Sequence, residues 1–359
     1  MRIAVISTPF VRVPPQGYGG TELFCGHLAE ALVARGHDVT LFATGDSEFS
    51  GETRSCFPGA VWPPSDAAEL EHCRFALEQI ARDPRRYDGV QLNSPVGLEV
   101  ARELGVEVVY TMHHRREEEL SALYAAHGEA HYVAISHRQL ELETHLRHAS
   151  VVHHGVAVGD YPPSSHHESY VLHLGRFAPE KGTHLAIDAA VQAKVPIVVA
   201  GRVHEKDDDA QYFDREVMPR MTLPRVEFVG EADRTQKLEH LRSAMALLCP
   251  IEWEEPFGLI AIEAMLTGTP VIGFPRGAFP EIIDEGVTGM LVSNVDEMSR
   301  AIERAPRWNR AACARRARLR FSSERMAMDY EAVFQSVLRR QSSPGLIHGR
   351  DVPRSTSLG

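Results

Sequence analysis

Cysteine is scarce in this chain: Cys25, Cys56, Cys73, Cys249 and Cys313 are the only 5 in 359 residues, odd in number and far apart. With no C-x-x-C pair to suggest zinc or a redox couple, they read as reduced, cytosolic thiols. Long apolar runs are missing as well. Nothing approaches the roughly 18 residues of a membrane span, and Met1 to Phe10 looks like a strand feeding a loop rather than a secretion signal. Basic residues are outnumbered, 38 Lys and Arg against 49 Asp and Glu, for a formal net charge of −11. That balance opposes general attraction to nucleic acid or anionic lipid, so an anionic ligand needs a local basic site. The expected location is the cytoplasm, without nucleic-acid partners or a membrane anchor.

What is present is an ordinary globular composition, 43% apolar and 24% charged, over a length that suits two domains. Short apolar runs alternate with helical spacings: a strand at Arg2 to Thr8, a helix through Leu23, Phe24, Leu28 and Leu32, and a strand at Asp38 to Ala43. There follow a helix at Asp66 to Arg82, strands near Gly89 to Leu92 and Val106 to Thr111, a helix near Glu117 to His127, and strands at His131 to Ile135 and Ser150 to His153. This is α/β wound as a parallel sheet. Leu70, Cys73, Leu77 and Ile80 share a helix face and read as core rather than as a membrane anchor. The Pro/Ser/His-rich stretch Gly159 to Ser169 reads as an exposed connection, and from Tyr170 the scheme repeats through Met290 to Val292. The expected domains are 1–158 and 159–322, then a helix at 323–340 and a flexible tail at 341–359. Ligands of open α/β sheets sit at the carboxyl ends of strands, so the strand-to-helix loops are where to look.

Three loops stand out. Gly19 and Gly20 open a helix, where free N–H groups suit an anion, although glycines also serve a plain tight turn. The order G-x-G-x-x-G is absent, against a nicotinamide or flavin dinucleotide enzyme. In Gly175-Arg176-Phe177-Ala178-Pro179-Glu180-Lys181-Gly182, an Arg fork and a mobile Lys suit a pyrophosphate whose charge grows as it leaves; a solvated turn is the bland alternative. In Glu255-Pro256-Phe257-Gly258-Leu259-Ile260-Ala261-Ile262-Glu263, Pro256 suits a first helical turn that frees the N–H groups of Phe257, Gly258 and Leu259. A wholly helical interval puts the carboxylates about 12 Å apart along the axis, too far for the roughly 5 Å pair of a retaining glycosidase. Glu263 on an apolar helix needs hydrogen-bond donors, such as a ribose diol or a salt-bridge partner.

With these residues in place, together with Glu281, Gly286 and Gly289, the chain resembles the family 4 retaining glycosyltransferases over about residues 1–340. The resemblance implies the GT-B architecture, two facing Rossmann-like domains with parallel sheets and an interdomain cleft. It implies that Arg176 and Lys181 hold a donor pyrophosphate, Glu255 the transferred sugar and Glu263 the ribose. Gly19 and Gly20 then line the phosphate and sugar region from the other domain, and His113 stands at a strand end near the reaction centre, a buried structural imidazole being the alternative. Gly201, Arg202 and the turn Val229-Gly230-Glu231 resemble the base-binding rim. The partners implied are a nucleoside-diphosphate sugar, UDP favoured, and an acceptor hydroxyl.

One departure is His154-Gly155-Val156-Ala157, where many relatives carry Asn-Gly-Val-Asp. The 19 histidines include the pairs His113/His114, His153/His154 and His166/His167, but neighbours on a strand point to opposite faces and chelate poorly. No catalytic metal or required cofactor is expected; Mg²⁺ riding on the nucleotide stays open and is given no part in catalysis. The arginines at 315, 316, 318 and 320 read as a solvated helix face. A GT-B epimerase or phosphorylase, or a nucleotide-sugar sensor without turnover, remains the alternative at this point.

Overall fold

The structure is a computed structural model and describes residues 1–17, 19–83, 85–203 and 207–342. The N-terminal half runs β1 (Arg2–Ile6), α1 (Gly20–Ala34), β2 (Asp38–Phe42), β3 (Glu52–Arg54), α2 (Asp66–Arg82), β4 (Gly89–Leu92), α3 (Gly97–Leu104), β5 (Val109–Met112), α4 (Glu118–Ala126), β6 (His131–Ala134), α5 (His137–Leu142) and β7 (Ala149–Val151). The C-terminal half continues with β8 (Val171–Leu174), α6 (Thr183–Ala193), β9 (Ile197–Ala200), α7 (Asp207–Tyr212), α8 (Met218–Met221), β10 (Val226–Gly230), α9 (Arg234–Ser243) and β11 (Leu247–Cys249). Then come α10 (Leu259–Leu266), β12 (Val271–Gly273), α11 (Phe279–Ile282), β13 (Gly289–Leu291), α12 (Val295–Ile302), α13 (Arg310–Phe321) and α14 (Ser323–Ser342).

The strands pair in parallel within two sheets, a 7-stranded one ordered β3-β2-β1-β4-β5-β6-β7 and a 6-stranded one ordered β10-β9-β8-β11-β12-β13. In each, the winding reverses once, between β1 and β4 and between β8 and β11. Loops leaving strands on either side of such a reversal diverge and open a crevice. Apolar layers cover both faces of each sheet, as parallel strands require. These are the two Rossmann-like units of the expected architecture.

Local chemistry explains the ends of α2: the Ser65 side chain accepts from Ala68 N–H, and Asp66 and Glu69 lie in the positive first turn. The last helix crosses back. Met326, Ala327, Tyr330 and Phe334 of α14 are buried against Ile3, Val5 and Leu28, and the Tyr330 and Thr111 hydroxyls lie 2.7 Å apart. The chain passes between the halves twice at one place, where Val156 N–H donates to Phe321 O and Ser323 N–H to Val156 O, each at 2.9 Å.

Several expectations need correction. Helix α10 begins at Leu259 because Gly258 has φ 95°, a left-handed conformation that only glycine takes cheaply. Pro256 therefore precedes the helix, and the interval from Glu255 to Glu263 is only half helical. The connection after Gly159 is not wholly exposed: Tyr161 is buried, its carbonyl accepts from Arg318 at 3.0 Å, and Ser164 O accepts from Arg310 at 2.9 Å. The arginine run is accordingly structural in part, with Arg316 and Arg320 both pairing with Asp284. Leu70 is exposed, whereas Cys73, Leu77 and Ile80 are core. The tail lies outside the described residues beyond Ser342.

Burial holds four imidazoles neutral: His72, His131 and His173 at about 4 and His154 at about 3. An unfolded chain binds these protons near 6.5. Between those values the unfolded state carries more protons, so stability rises with pH, by up to about 1.4 kcal/mol per pH unit for each group. Chemical denaturation should show stability falling steadily from pH 6.5 to pH 4.5; a flat profile over that range would contradict neutral burial.

Candidate functional site

Several of the residues singled out by the sequence emerge at or beside the two sheet reversals. Gly19 and Gly20 follow β1, and Arg176 and Lys181 follow β8. Glu255 follows β11, while His113 ends β5 beside the β4 loop. The two crevices face each other: a Cβ placed on Gly20 would lie 3.6 Å from Leu259 Cδ1, so the N-termini of α1 and α10 meet across the cleft. Polar contacts tie its walls together. Arg138 Nε donates to Glu254 Oε2 at 2.9 Å, and the Arg115 guanidinium sits 5.9 Å from the Trp253 ring centre.

On the C-terminal wall, Glu255 Oε2 accepts from Lys181 Nζ at 2.6 Å and from Trp253 Nε1 at 2.8 Å. Lys181 Nζ also lies 4.7 Å from the Trp253 ring centre, a cation–π distance. Arg176 is turned toward carboxylates, donating to Asp209 at 2.9 Å and to Glu180 at 2.5 Å. Phe257 is buried and packs edge-on to His154, ring centres 5.0 Å apart, so it holds the loop through its side chain. Leu259 and Ile260 N–H groups lie in the first turn, where no intrahelical acceptor exists.

Gly201, Val229 and Arg202 lie along the ends of β9 and β10. Gly201 N–H donates to Gly230 O at 2.8 Å, and a Cβ there would stand 1.9 Å from Gly175 O; only glycine permits that approach. Arg202 is exposed, 3.5 Å from Glu231, and Val229 is exposed beside it.

On the N-terminal wall, Asn93 Nδ2 donates to Ile6 O, which fixes Oδ1 as the acceptor from Gln91 Nε2 at 2.7 Å and from His113 Nε2 at 2.8 Å. Nε2 of His113 therefore carries the proton and Nδ1 offers a lone pair. Burial, and then His154 and His114, hold the imidazole well below its usual range, so it is neutral. Its ring stacks on His154 with centres 5.5 Å apart.

The family patterns described as "Glycosyl transferases group 1" and "Glycosyltransferase Family 4" match residues 162–320 and 18–158. The chain belongs to the family 4 glycosyltransferases. D-inositol 3-phosphate glycosyltransferase of Mycolicibacterium smegmatis is 25% identical over 98% of this chain and 94% of its own. An uncharacterized 41.2 kDa protein in the cps region of Klebsiella pneumoniae is 28% identical, over 46% of each chain, so the match spans less than half of that relative. Among solved structures, AviGT4, involved in avilamycin A biosynthesis, superposes with a TM-score of 0.75 at 22% identity, covering 94% of this chain and 98% of that one. Sucrose-phosphate synthase from Thermosynechococcus elongatus gives 0.77 at 21% identity, with 95% and 100% covered. These neighbours carry the GT-B fold.

In this glycosyltransferase the Glu263 carboxylate is held by two donors. Its side chain is 4% exposed and accepts from Lys237 Nζ at 2.8 and 3.0 Å and from Tyr161 O–H at 2.7 Å. Lys237 and Tyr161 were not expected, since they lie 26 and 102 positions from Glu263 and no local pattern links them. Asn93 was legible in principle, as a polar residue ending an apolar strand.

Replacing Glu263 by Ala leaves the buried Tyr161 hydroxyl without its acceptor and the part-exposed Lys237 without its partner, at a cost of about 1–3 kcal/mol. Urea unfolding should show this loss, with Glu263→Gln losing less because its amide oxygen still accepts from Tyr161. A loss below about 1 kcal/mol for Glu263→Ala would show that these contacts do not hold the wall.

Proposed function

We propose that this glycosyltransferase moves a sugar from a nucleoside-diphosphate sugar, a UDP-sugar in the first instance, to an acceptor hydroxyl, retaining the anomeric configuration, in the cytoplasm. The observation that carries the reading is the Lys181–Glu255–Trp253 cluster beside the free N–H groups of α10, opposite the start of α1. It supplies positive charge and directed dipoles where a diphosphate would leave. The Anabaena protein Alr3699/HepE, crystallised with UDP-glucose, superposes with a TM-score of 0.70, which favours UDP.

Lys181 and Arg176 take the pyrophosphate, with Gly19 and Gly20 closing on it from the other domain. A diphosphate competes with Asp209 and Glu180 for the Arg176 fork, which those carboxylates hold near the loop. Glu255 Oε1, with no hydrogen bond among the described residues, accepts from a hydroxyl of the transferred sugar. A ribose diol competes with Lys237 and Tyr161 for Glu263, Gly201, Arg202 and Val229 border the base, and Phe257 and Gly258 shape the turn that presents Leu259. Neutral His113 offers Nδ1 to a sugar or acceptor hydroxyl without adding charge.

Glu255 is assigned to a hydroxyl of the sugar and not to attack at its anomeric carbon, so no double displacement is drawn. The acceptor instead attacks on the face the diphosphate leaves, and a donor phosphate oxygen takes its proton. Domain closure keeps water from the same electrophile.

Arg176→Ala should lower turnover by about 10²–10³-fold, the loss of one charge-stabilising donor, while UDP affinity measured by calorimetry changes less. Unchanged turnover would remove Arg176 from the reaction. With an α-linked donor, proton NMR of the product should show an α-glycoside; a β-product would overturn retention.

A further inference from the structure

The geometry points to a divalent transition-metal site formed by His137, His153 and Glu281, which staples the two domains together beside the place where the chain crosses between them. One ligand atom from each residue can be chosen so that all lie within 4.8 Å of one another. His153 Nε2 is 3.0 Å from Glu281 Oε2, and the His137 ring stands at 84° to His153 with centres 5.9 Å apart. The His137 ring has no hydrogen-bond partner among the described residues and is exposed, so it can turn inward and an ion can enter.

The donor set selects the ion. Two imidazoles and a carboxylate suit zinc and its first-row neighbours, whereas magnesium and calcium prefer oxygen. Zinc bonds of about 2.0–2.2 Å require the ligand atoms to draw closer, chiefly by rotation of exposed His137. Glu281 is already aimed: it accepts backbone N–H groups of His137 and Arg138 at 2.7 Å each. Such outer contacts fix a ligating carboxylate. The ion takes the place of the hydrogen bond between His153 Nε2 and Glu281 Oε2. Neighbouring cations do not leave the site uncompensated, because Arg320 pairs with Asp284 and Arg325 with Asp329, each at 2.6 Å.

His137 and His153 belong to the N-terminal half and Glu281 to the other. His153 lies three positions before Val156, where the chain crosses between domains. An ion held by all three ties the halves together at their crossing point and slows their opening. This inference stands independently of the sugar chemistry.

The test is titration of the full-length, tag-free protein, stripped with EDTA, with Zn²⁺ by calorimetry and with Co²⁺ by visible absorption. One equivalent should bind saturably, and His137→Ala, which removes an exposed ring without a hydrogen bond, should weaken it at least about tenfold. His153→Gln should do the same. Zn²⁺ should also slow hydrogen exchange of residues 156–162 in the parent protein and not in His137→Ala. Absence of a saturable equivalent, unchanged affinity in His137→Ala, or exchange indifferent to Zn²⁺ would overturn the proposal.

Discussion

Parallel strands cannot be joined by tight turns, and this constraint shapes everything else in the molecule. Each strand must be followed by a crossover that runs back over a face of the sheet, so every loop leaving a strand's carboxyl end lies at the same end of its sheet. Where the winding reverses, between β1 and β4 and between β8 and β11, those loops diverge. Two such edges facing each other make a cleft lined with residues from distant parts of the chain. Gly20 meeting Leu259 is the direct expression of that geometry.

The cleft's electrostatics follow from how its charges are shared. Lys181 and Trp253 converge on one oxygen of Glu255, leaving the lysine partly compensated and the other oxygen available. Arg176 is similarly balanced by Asp209 and Glu180. A chain with net charge −11 thus keeps its local cations ordered, and an anion entering the loop exchanges partners rather than creating charge in a dry site. Across the cleft a neutral imidazole adds no competing charge.

Much of this was legible because it is local. The two parallel sheets, the bounds of α2 and β4, and the loops carrying Arg176, Lys181 and Glu255 all follow from apolar spacing, caps and breakers within short windows. Short α5 and the β3 edge strand were not anticipated, having little periodicity to detect; α3 and α12 were missed for their brevity, although Leu98 and Ala101 in one and Met298, Ala301 and Ile302 in the other are spaced as a buried helix face. Long-range pairings were invisible for a different reason. Glu281 grips the start of α5 from 144 positions away, and no local rule distinguishes that carboxylate from a solvated one. The positive φ of Gly258 displaced the start of α10 by the same logic: a glycine within an apolar stretch reads as helix until its neighbours force the turn.

A crystal structure of the protein grown with UDP tests the arrangement most directly. The pyrophosphate should lie within hydrogen-bond reach of Lys181 Nζ and Leu259 N–H, with the ribose toward Glu263 and the base against Gly201. UDP seated away from the β8 and β11 loops, or a cleft that admits no nucleotide, would contradict it.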